Sequence, residues 1–200
     1  MTEKKIREII EITDKFLTAK FEKNLAEIKN NYKKNPLIYA KGYLDSLKDV
    51  FTETKELQER GKKGKTAYIS FSFLYSSSLL NKNGLRIDIY DKDFYLDKQE
   101  VCTFWEPKEI FKYVEEDMKY VERHLSSSYI PIKTHERVEL YNSYLLNYYQ
   151  VTMQVLLELV KCVETMNSFN EMQKESRVQI TLGEYMDKFQ CIHTINTEDK

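Results

Sequence analysis

The chain has 200 residues, of which 42% are hydrophobic and 32% are charged, and its formal net charge is −1. This balance is typical of a folded domain and excludes both a disordered chain and a strongly basic one. The length fits one domain, or one domain with an appended arm. With only 5 glycines and 3 prolines, the sequence has few breakers, which favours long uninterrupted elements.

Charge is unevenly distributed along the chain. Residues 1–65 carry 16 Lys and Arg against 11 Asp and Glu, so the remainder has an acidic excess. A mildly basic segment on a mildly acidic body is compatible with self-association or with an acidic partner, but it falls short of the basic surface of a dedicated nucleic-acid-binding protein. We therefore expect a protein partner or self-association, with weak support for nucleic-acid binding.

Cysteine use and hydropathy indicate the compartment. Cys102, Cys162 and Cys191 are far apart in sequence and form no CxxC motif, which predicts free thiols, two of them buried, in a reducing environment. The N-terminal MTEKKIREII lacks the apolar core of a signal peptide, and no apolar run approaches the ~20 residues of a membrane span. We expect a soluble, cytoplasmic protein that does not associate with membranes.

Two long helices are predicted in the first third of the chain. Over 3–32, apolar residues recur at spacings of three and four, which is typical of an amphipathic helix. Pro36 disfavours helix at the residue before it and suits the first turn of a new helix, and the periodicity restarts over 37–60. The short connection predicts a long antiparallel helical hairpin. We expect 1–60 to form a helical arm that folds as one cooperative unit with an α+β body at 61–200.

The period then changes to two. Apolar and polar residues alternate in TAYISFSFLYS (66–76) and in LRIDIYD (85–91), which predicts two strands with one apolar face each. Further short strands at 94–96 and 101–105 would complete a three- to four-stranded antiparallel meander. Because Phe71 lies on the apolar face, Phe71→Ala should cost about 3–5 kcal/mol, whereas Lys63→Ala, in a polar turn, should be nearly silent.

The last part of the chain is predicted to be mainly helical. One helix follows Glu106-Pro107, and a long helix runs from Thr134 to about Met166. Apolar residues cover most of the circumference of this second helix, so we expect it to be buried and packed on the sheet. The segment 167–176 is predicted to be a linker and RVQI a short strand. T-L-G-E has the capping-box pattern and predicts a short helix over 182–195, with a β-hairpin as the alternative. The fold class is therefore α+β.

The stretch GKKGKT ends like a phosphate-binding loop. That motif reads GxxxxGK[ST] and needs a glycine at position 59, where this chain has Glu59. The motif also requires the order strand, loop, helix, whereas Gly64-Lys65-Thr66 follows a predicted helix and precedes a predicted strand. We interpret the stretch as a solvated connection and predict no nucleotide site and no cofactor.

Acidic residues cluster in DIYDKDFYLD, between Asp88 and Asp97. Together with Glu106, the carboxylates of Asp88, Asp91 and Asp93 form a candidate site for Mg²⁺ or Ca²⁺, which prefer oxygen ligands. The spacing matches no metal motif fully, and aspartates at strand ends are commonly turn residues. A metal-dependent enzyme acting on phosphodiesters through the Asp88–Asp97 cluster is therefore an alternative hypothesis.

The outer face of the predicted sheet carries aromatic side chains. Tyr68, Arg86 and Tyr90 form a candidate interaction surface, because tyrosine has an apolar ring and a polar tip and is common at interfaces. Aromatic residues among lysines can also stack on bases, but Asp88 lies on the same face and would repel phosphate. The general preference of tyrosine for buried or interfacial positions favours packing of this face within the chain, with a protein interface as the next interpretation.

No catalytic residue is assigned. A nucleophilic pair of Cys102 with His124 or His135 stays open, because such residues meet only in space. The sequence favours a protein that is not an enzyme but a protein-binding module: an adaptor, inhibitor or accessory factor, with a mobile element or defence system as the suggested setting. The metal-dependent enzyme is the alternative, and a nucleic-acid-binding protein is the weaker one.

Overall fold

A computed structural model describes residues 3–74, 83–127 and 134–197, so the last two residues of the predicted strand 66–76 lie outside the described residues. The chain is α+β, as predicted, and both N-terminal helices are confirmed. The helices are α1 (Glu3–Lys34), α2 (Pro36–Glu59), α3 (Lys108–Ser127), α4 (Thr134–Leu159) and α5 (Asn167–Glu171), with 3₁₀ turns at Phe94–Leu96 and Val160–Thr165; the strands are β1 (Thr66–Phe73), β2 (Leu85–Tyr90), β3 (Cys102–Trp105), β4 (Lys174–Glu184) and β5 (Phe189–Asn196).

The backbone separates into two compact units. The helical unit comprises Met1–Ile38 and Lys108–Thr152, and the sheet unit comprises Tyr39–Pro107 and Met153–Lys200. The organisation into an arm at 1–60 and a body at 61–200 stays a prediction.

The sheet has five strands in the order β3-β2-β1-β4-β5. β1, β2 and β3 form the predicted antiparallel meander. β4 extends it by pairing parallel with β1, and β5 pairs antiparallel with β4. The sheet is therefore larger than predicted and mixed, and β1 lies at its centre.

Within the sheet unit, the long helix α2 packs on one face of the sheet. Tyr43 of α2 stacks on Phe71, with ring centroids 6.0 Å apart, and meets Trp105 edge-on at 5.2 Å. Both Phe71 and Tyr43 are fully buried. The predicted facing of β1 is therefore confirmed at Phe71, which packs on α2.

The helical unit has a polar network in its interior. Asp117 of α3 accepts hydrogen bonds from Asn24 of α1 at 2.7 Å and from Tyr144 of α4 at 2.7 Å. Asn24 also donates to the hydroxyl of Tyr148 at 3.0 Å, which lies 3.1 Å from that of Tyr144. Asn24, Asp117 and the two tyrosines are all buried. The network joins the three helices, and the apolar periodicity does not predict it.

Three predicted elements are wrong. The predicted linker at 167–176 contains α5 and the first residues of β4. Residues 94–96 form a 3₁₀ turn instead of a strand, because Phe94 has a left-handed φ of 52° that an extended strand cannot accommodate. Residues 182–195 form a β-hairpin instead of a helix. In the hairpin, a Cβ at Gly183 would collide with the carbonyl oxygen of Lys188. The glycine in T-L-G-E therefore permits close backbone approach, and the segment does not cap a helix.

Candidate functional site

The predicted interaction residues lie on the face of the sheet opposite α2. Tyr68 pairs with Tyr90 across β1 and β2, and Ser72 pairs with Arg86 on the same face. Tyr68, Arg86 and Tyr90 are each half-buried, whereas Asp88 between the last two is buried. The sheet pleat therefore brings the three predicted residues to one face, but they are not freely exposed.

An aromatic cluster covers part of this outer face. Phe94 of the 3₁₀ turn meets the rings of Tyr68 and Tyr90, each at 4.9 Å between centroids. Tyr95 meets Tyr90 at 5.5 Å, and Phe189 of β5 lies 5.9 Å from Phe94. The 3₁₀ turn is thus fixed on the sheet by aromatic packing from β1, β2 and β5.

Two apolar side chains project from this cluster. Tyr95 accepts a hydrogen bond at 3.0 Å from the backbone N–H of Met186, in the turn between β4 and β5. Leu96, which follows Tyr95 in the chain, is 82% exposed, and Met186 is 67% exposed. Met186 has a φ of 61°, so it shares the left-handed conformation of Phe94. We call Leu96 and Met186, with the rings of Tyr95 and Phe189, the projecting surface.

Backbone strain marks this surface. Phe94 and Met186 are the positive-φ residues other than glycine in the described part of the chain. A left-handed conformation costs on the order of 1–3 kcal/mol for such residues and clusters at functional positions. The surrounding rings and the Tyr95–Met186 hydrogen bond hold the strained conformations in place.

Arg86 forms the charged centre of the outer face. Its Nε and Nη2 donate to the carboxylate of Asp88 at 2.7–2.9 Å, and Nη2 also donates to Glu100. The guanidinium lies over the ring of Tyr185, 4.7 Å from its centroid. One side chain therefore contacts β2, the segment before β3 and the turn after β4.

The titration of these groups follows from burial. Burial raises the pKa of the Asp88 carboxyl, and the nearby Arg86 guanidinium opposes the rise. Burial by itself would lower the pKa of Arg86. The hydrogen bonds to Asp88 and Glu100 have the larger effect, so the pKa of Arg86 is raised above its ordinary value. Burial also raises the pKa of the Cys102 thiol. Arg86 is therefore charged at all ordinary pH values, and Cys102 lacks the lowered pKa of a nucleophile.

The predicted metal ligands come from β2, from the turn after β2 and from the residue after β3. Asp91 and Asp93 are in the turn after β2, where Asp91 Oδ1 accepts the backbone N–H of Asp93 at 2.9 Å. Glu106 is exposed after β3. Among the described residues, Asp88, Glu100 and Cys102 form a different group: each offers one atom that could bind a metal, and these atoms lie within 4.8 Å of one another.

A cation already occupies that grouping, because the Arg86 guanidinium contacts both carboxylates. A metal ion would have to displace it. A metal site built from the four predicted residues stays a prediction.

Lys63 corrects our expectation for the Gly-Lys-Thr connection. Its side chain is fully buried and pairs with Asp97 at 2.6 Å, and it also donates to the carbonyl oxygen of Gln99 at 2.6 Å. Asp97 in turn accepts the backbone N–H of Asp91 at 2.9 Å. The connection is a helix-to-strand turn, as predicted, but the premise that Lys63 is solvated is wrong, so we now expect Lys63→Ala to be destabilising.

The cysteines are free, as predicted, but none of the three is fully buried: Cys102 and Cys162 are intermediate and Cys191 is exposed. The side chains of His124 and His135 lie outside the described part of the structure, so their pairing with Cys102 stays open.

Sequence reasoning missed Leu96, Met186, Tyr185 and Glu100. Leu96 and Met186 were assigned to a strand and a helix, where an apolar residue is normally buried. The aspartates that flank FYL, Asp93 and Asp97, are the signal that could have identified a turn.

Comparison with known proteins found no matching family model, no matching curated protein and no matching solved structure. Among the described residues, no helix combines the length and apolarity that a membrane span requires.

Proposed function

We propose that the protein is a non-enzymatic protein-binding module, of the adaptor, inhibitor or accessory kind, and that it binds its partner through the projecting surface. The observation that carries the proposal is the exposure of Leu96 and Met186 on strained, well-supported turns. Single exposed apolar residues are common on protein surfaces. Two exposed apolar residues on neighbouring turns that are joined by a hydrogen bond are a more specific sign of a binding surface.

The support beneath these side chains suits a binding role. Rigid aromatic packing reduces the conformational entropy that is lost when a turn is fixed by a partner. Phe94 and Tyr95 pack on β1, β2 and β5, and the backbone of Met186 is tied to Tyr95. The projecting surface is therefore organised before any partner arrives.

The geometry favours one kind of partner: a folded protein with an apolar recess. Anchoring side chains that dominate binding usually fill pockets on the other protein. Flat pairing of two copies through two side chains would bury much less than the ~800 Å² per partner of a stable interface. Exposed charged residues beside the anchors would form the polar rim: Lys92, Lys98, Asp187 and Lys188.

The other hypotheses have less support. Arg86 pairs with the carboxylates of Asp88 and Glu100, and burial raises the pKa of the Cys102 thiol, which does not favour the metal-dependent enzyme. Basic residues of the first 65 are partly used in ion pairs, as in Lys55 with Glu171, which does not favour nucleic-acid binding.

Site-specific photo-crosslinking tests the proposal. A photoreactive amino acid replaces Leu96 in one variant and the exposed Leu157 of α4 in a matched control. We expect a discrete adduct with another protein from position 96 and none from position 157. The captured protein is then purified, and Leu96→Asp should weaken its binding at least tenfold.

The opposite results are equally clear. Equal adducts at both positions, or none at position 96, would contradict the proposal. An adduct of two copies of this chain would replace the folded partner by self-association.

A further inference from the structure

Arg86 joins the segments that carry the projecting surface. Its guanidinium donates hydrogen bonds to Asp88 within β2 and to Glu100 before β3. The flat face of the guanidinium lies over the ring of Tyr185, which follows β4. Tyr185 is adjacent to Met186, and its backbone N–H donates to the carbonyl oxygen of Phe73 at 3.2 Å. Arg86 is thus the side chain that ties the β4–β5 turn to β2.

We infer that Arg86 is a positioning residue for the projecting surface: it holds the β4–β5 turn so that Met186 meets the 3₁₀ turn, without itself touching the partner. The inference rests on the proposed function only for its consequence in binding, because the positioning itself can be measured on the free protein.

The chemistry at this position specifically requires arginine. A guanidinium can bond two carboxylates through its planar edge and stack on an aromatic ring with its face at the same time. Arg86 uses both features, with Asp88 and Glu100 on the edge and Tyr185 on the face. A lysine would keep the charge but could not maintain all three contacts.

The loss of these contacts should release one turn and leave the core intact. The hydrogen bond from Met186 to Tyr95 is exposed, and exposed hydrogen bonds contribute little alone because water competes for them. The strained φ at Met186 would then relax. The core facing α2 contains Phe71 and Trp105, which do not depend on Arg86.

Methionine methyl NMR on the full chain tests the inference. In protein labelled with [¹³C-methyl]methionine, the Met186 signal is assigned with Met186→Leu. We expect Arg86→Lys to shift and sharpen the Met186 signal towards that of a mobile side chain. The signals of the buried Met118 and Met172 should stay in place. Arg60→Lys, which changes an exposed arginine paired with Glu56, is the matched control.

Two outcomes would overturn the inference: an unchanged Met186 signal in Arg86→Lys, or a joint shift of Met118, Met172 and Met186, which indicates a general structural role. If Arg86→Lys does not fold, Glu100→Ala and Tyr185→Leu each remove one contact and should move Met186 alone to a smaller extent. A Met186 shift in these variants supports the inference, and its absence overturns it.

The two proposals fail separately. If Met186 responds to Arg86→Lys but position 96 gives no adduct, the positioning role stands and the binding function fails. If a partner is captured, Arg86→Lys should reduce its affinity at least tenfold, and an unchanged affinity would show that Arg86 does not control the surface.

Discussion

The two units of the molecule bury carboxylates in different ways. In the helical unit, Asp117 accepts short hydrogen bonds from two neutral donors, Asn24 and Tyr144, and its ionic partner Lys20 is more distant, at 3.8 Å, and partly exposed. In the sheet unit, Asp97 is paired directly with the buried ammonium of Lys63. A carboxylate held by several neutral donors loses one hydrogen bond when one donor is removed. Removal of one partner of a buried ion pair instead leaves the other charge uncompensated. The difference predicts that the sheet unit is the more sensitive of the two to a single change at its polar sites.

The largest expected effect is that of Lys63→Ala. Removing the ammonium leaves Asp97 buried without a counter-charge, so we expect a loss of about 3–5 kcal/mol in the free energy of unfolding. Urea denaturation measures it, with the exposed neighbour Lys65→Ala as the control. A loss of less than about 1 kcal/mol would remove the basis of the comparison.

A smaller effect is expected for Tyr144→Phe in the helical unit. The ring stays, but Asp117 loses one donor and Tyr148 loses a hydroxyl neighbour. We expect a loss of about 1–2 kcal/mol. A double-mutant cycle with Asn24→Ala should give a non-additive result, because both side chains bond the same carboxylate. Strict additivity would show that the network does not act as a unit.

Asp88→Asn should alter how stability depends on pH. Because burial raises the pKa of Asp88 in the folded state, the folded protein binds this proton more tightly than the unfolded chain does. Stability from this group is therefore greatest at low pH and falls as pH rises from the unfolded pKa to the folded one. The slope cannot exceed about 1.4 kcal/mol per pH unit, since one proton is involved.

The measurement is the difference between wild type and Asp88→Asn in the free energy of unfolding, taken at steps of pH from acid to neutral. It should decline with rising pH and then level off. A difference that increases with pH would mean that the attraction of Arg86 exceeds the effect of burial.

The smallest effect is expected for Lys15→Ala on α1. Lys15 pairs with Glu11 at 2.8 Å, but both side chains are largely exposed. Solvent and salt screen such pairs, so we expect no measurable change in the melting temperature. A shift as large as that of Tyr144→Phe would contradict the distinction between exposed and buried polar contacts.

Local patterns predicted the elements that are governed by periodicity. The helices α1, α2 and α4 and the apolar face of β1 follow from the spacing of their apolar residues, because burial of one face determines both. The spacing of Leu182, Tyr185 and Phe189 also fits a helix, so the pattern alone does not predict the hairpin at 182–195. Pairing with β1, which is distant in sequence, decides between the two structures.

The candidate site was predictable only in part. Tyr68, Arg86 and Tyr90 share a face because strand residues two apart do so. The role of Arg86 depends on Glu100 and Tyr185, which reach it through chain reversals that no periodicity encodes. The exposure of Leu96 depends on the left-handed backbone at Phe94, which hydropathy does not indicate.

The position of β1 between β2 and β4 has a consequence for synthesis on the ribosome. About 100 residues separate the end of β1 at Phe73 from the start of β4 at Lys174. At typical elongation rates, β4 is synthesised roughly 5–20 s after β1. During that interval one edge of the central strand has no partner from β4, and it could pair with other nascent chains. Such a high contact order also predicts slow folding, so chaperone demand during translation should exceed that of a helical protein of equal length.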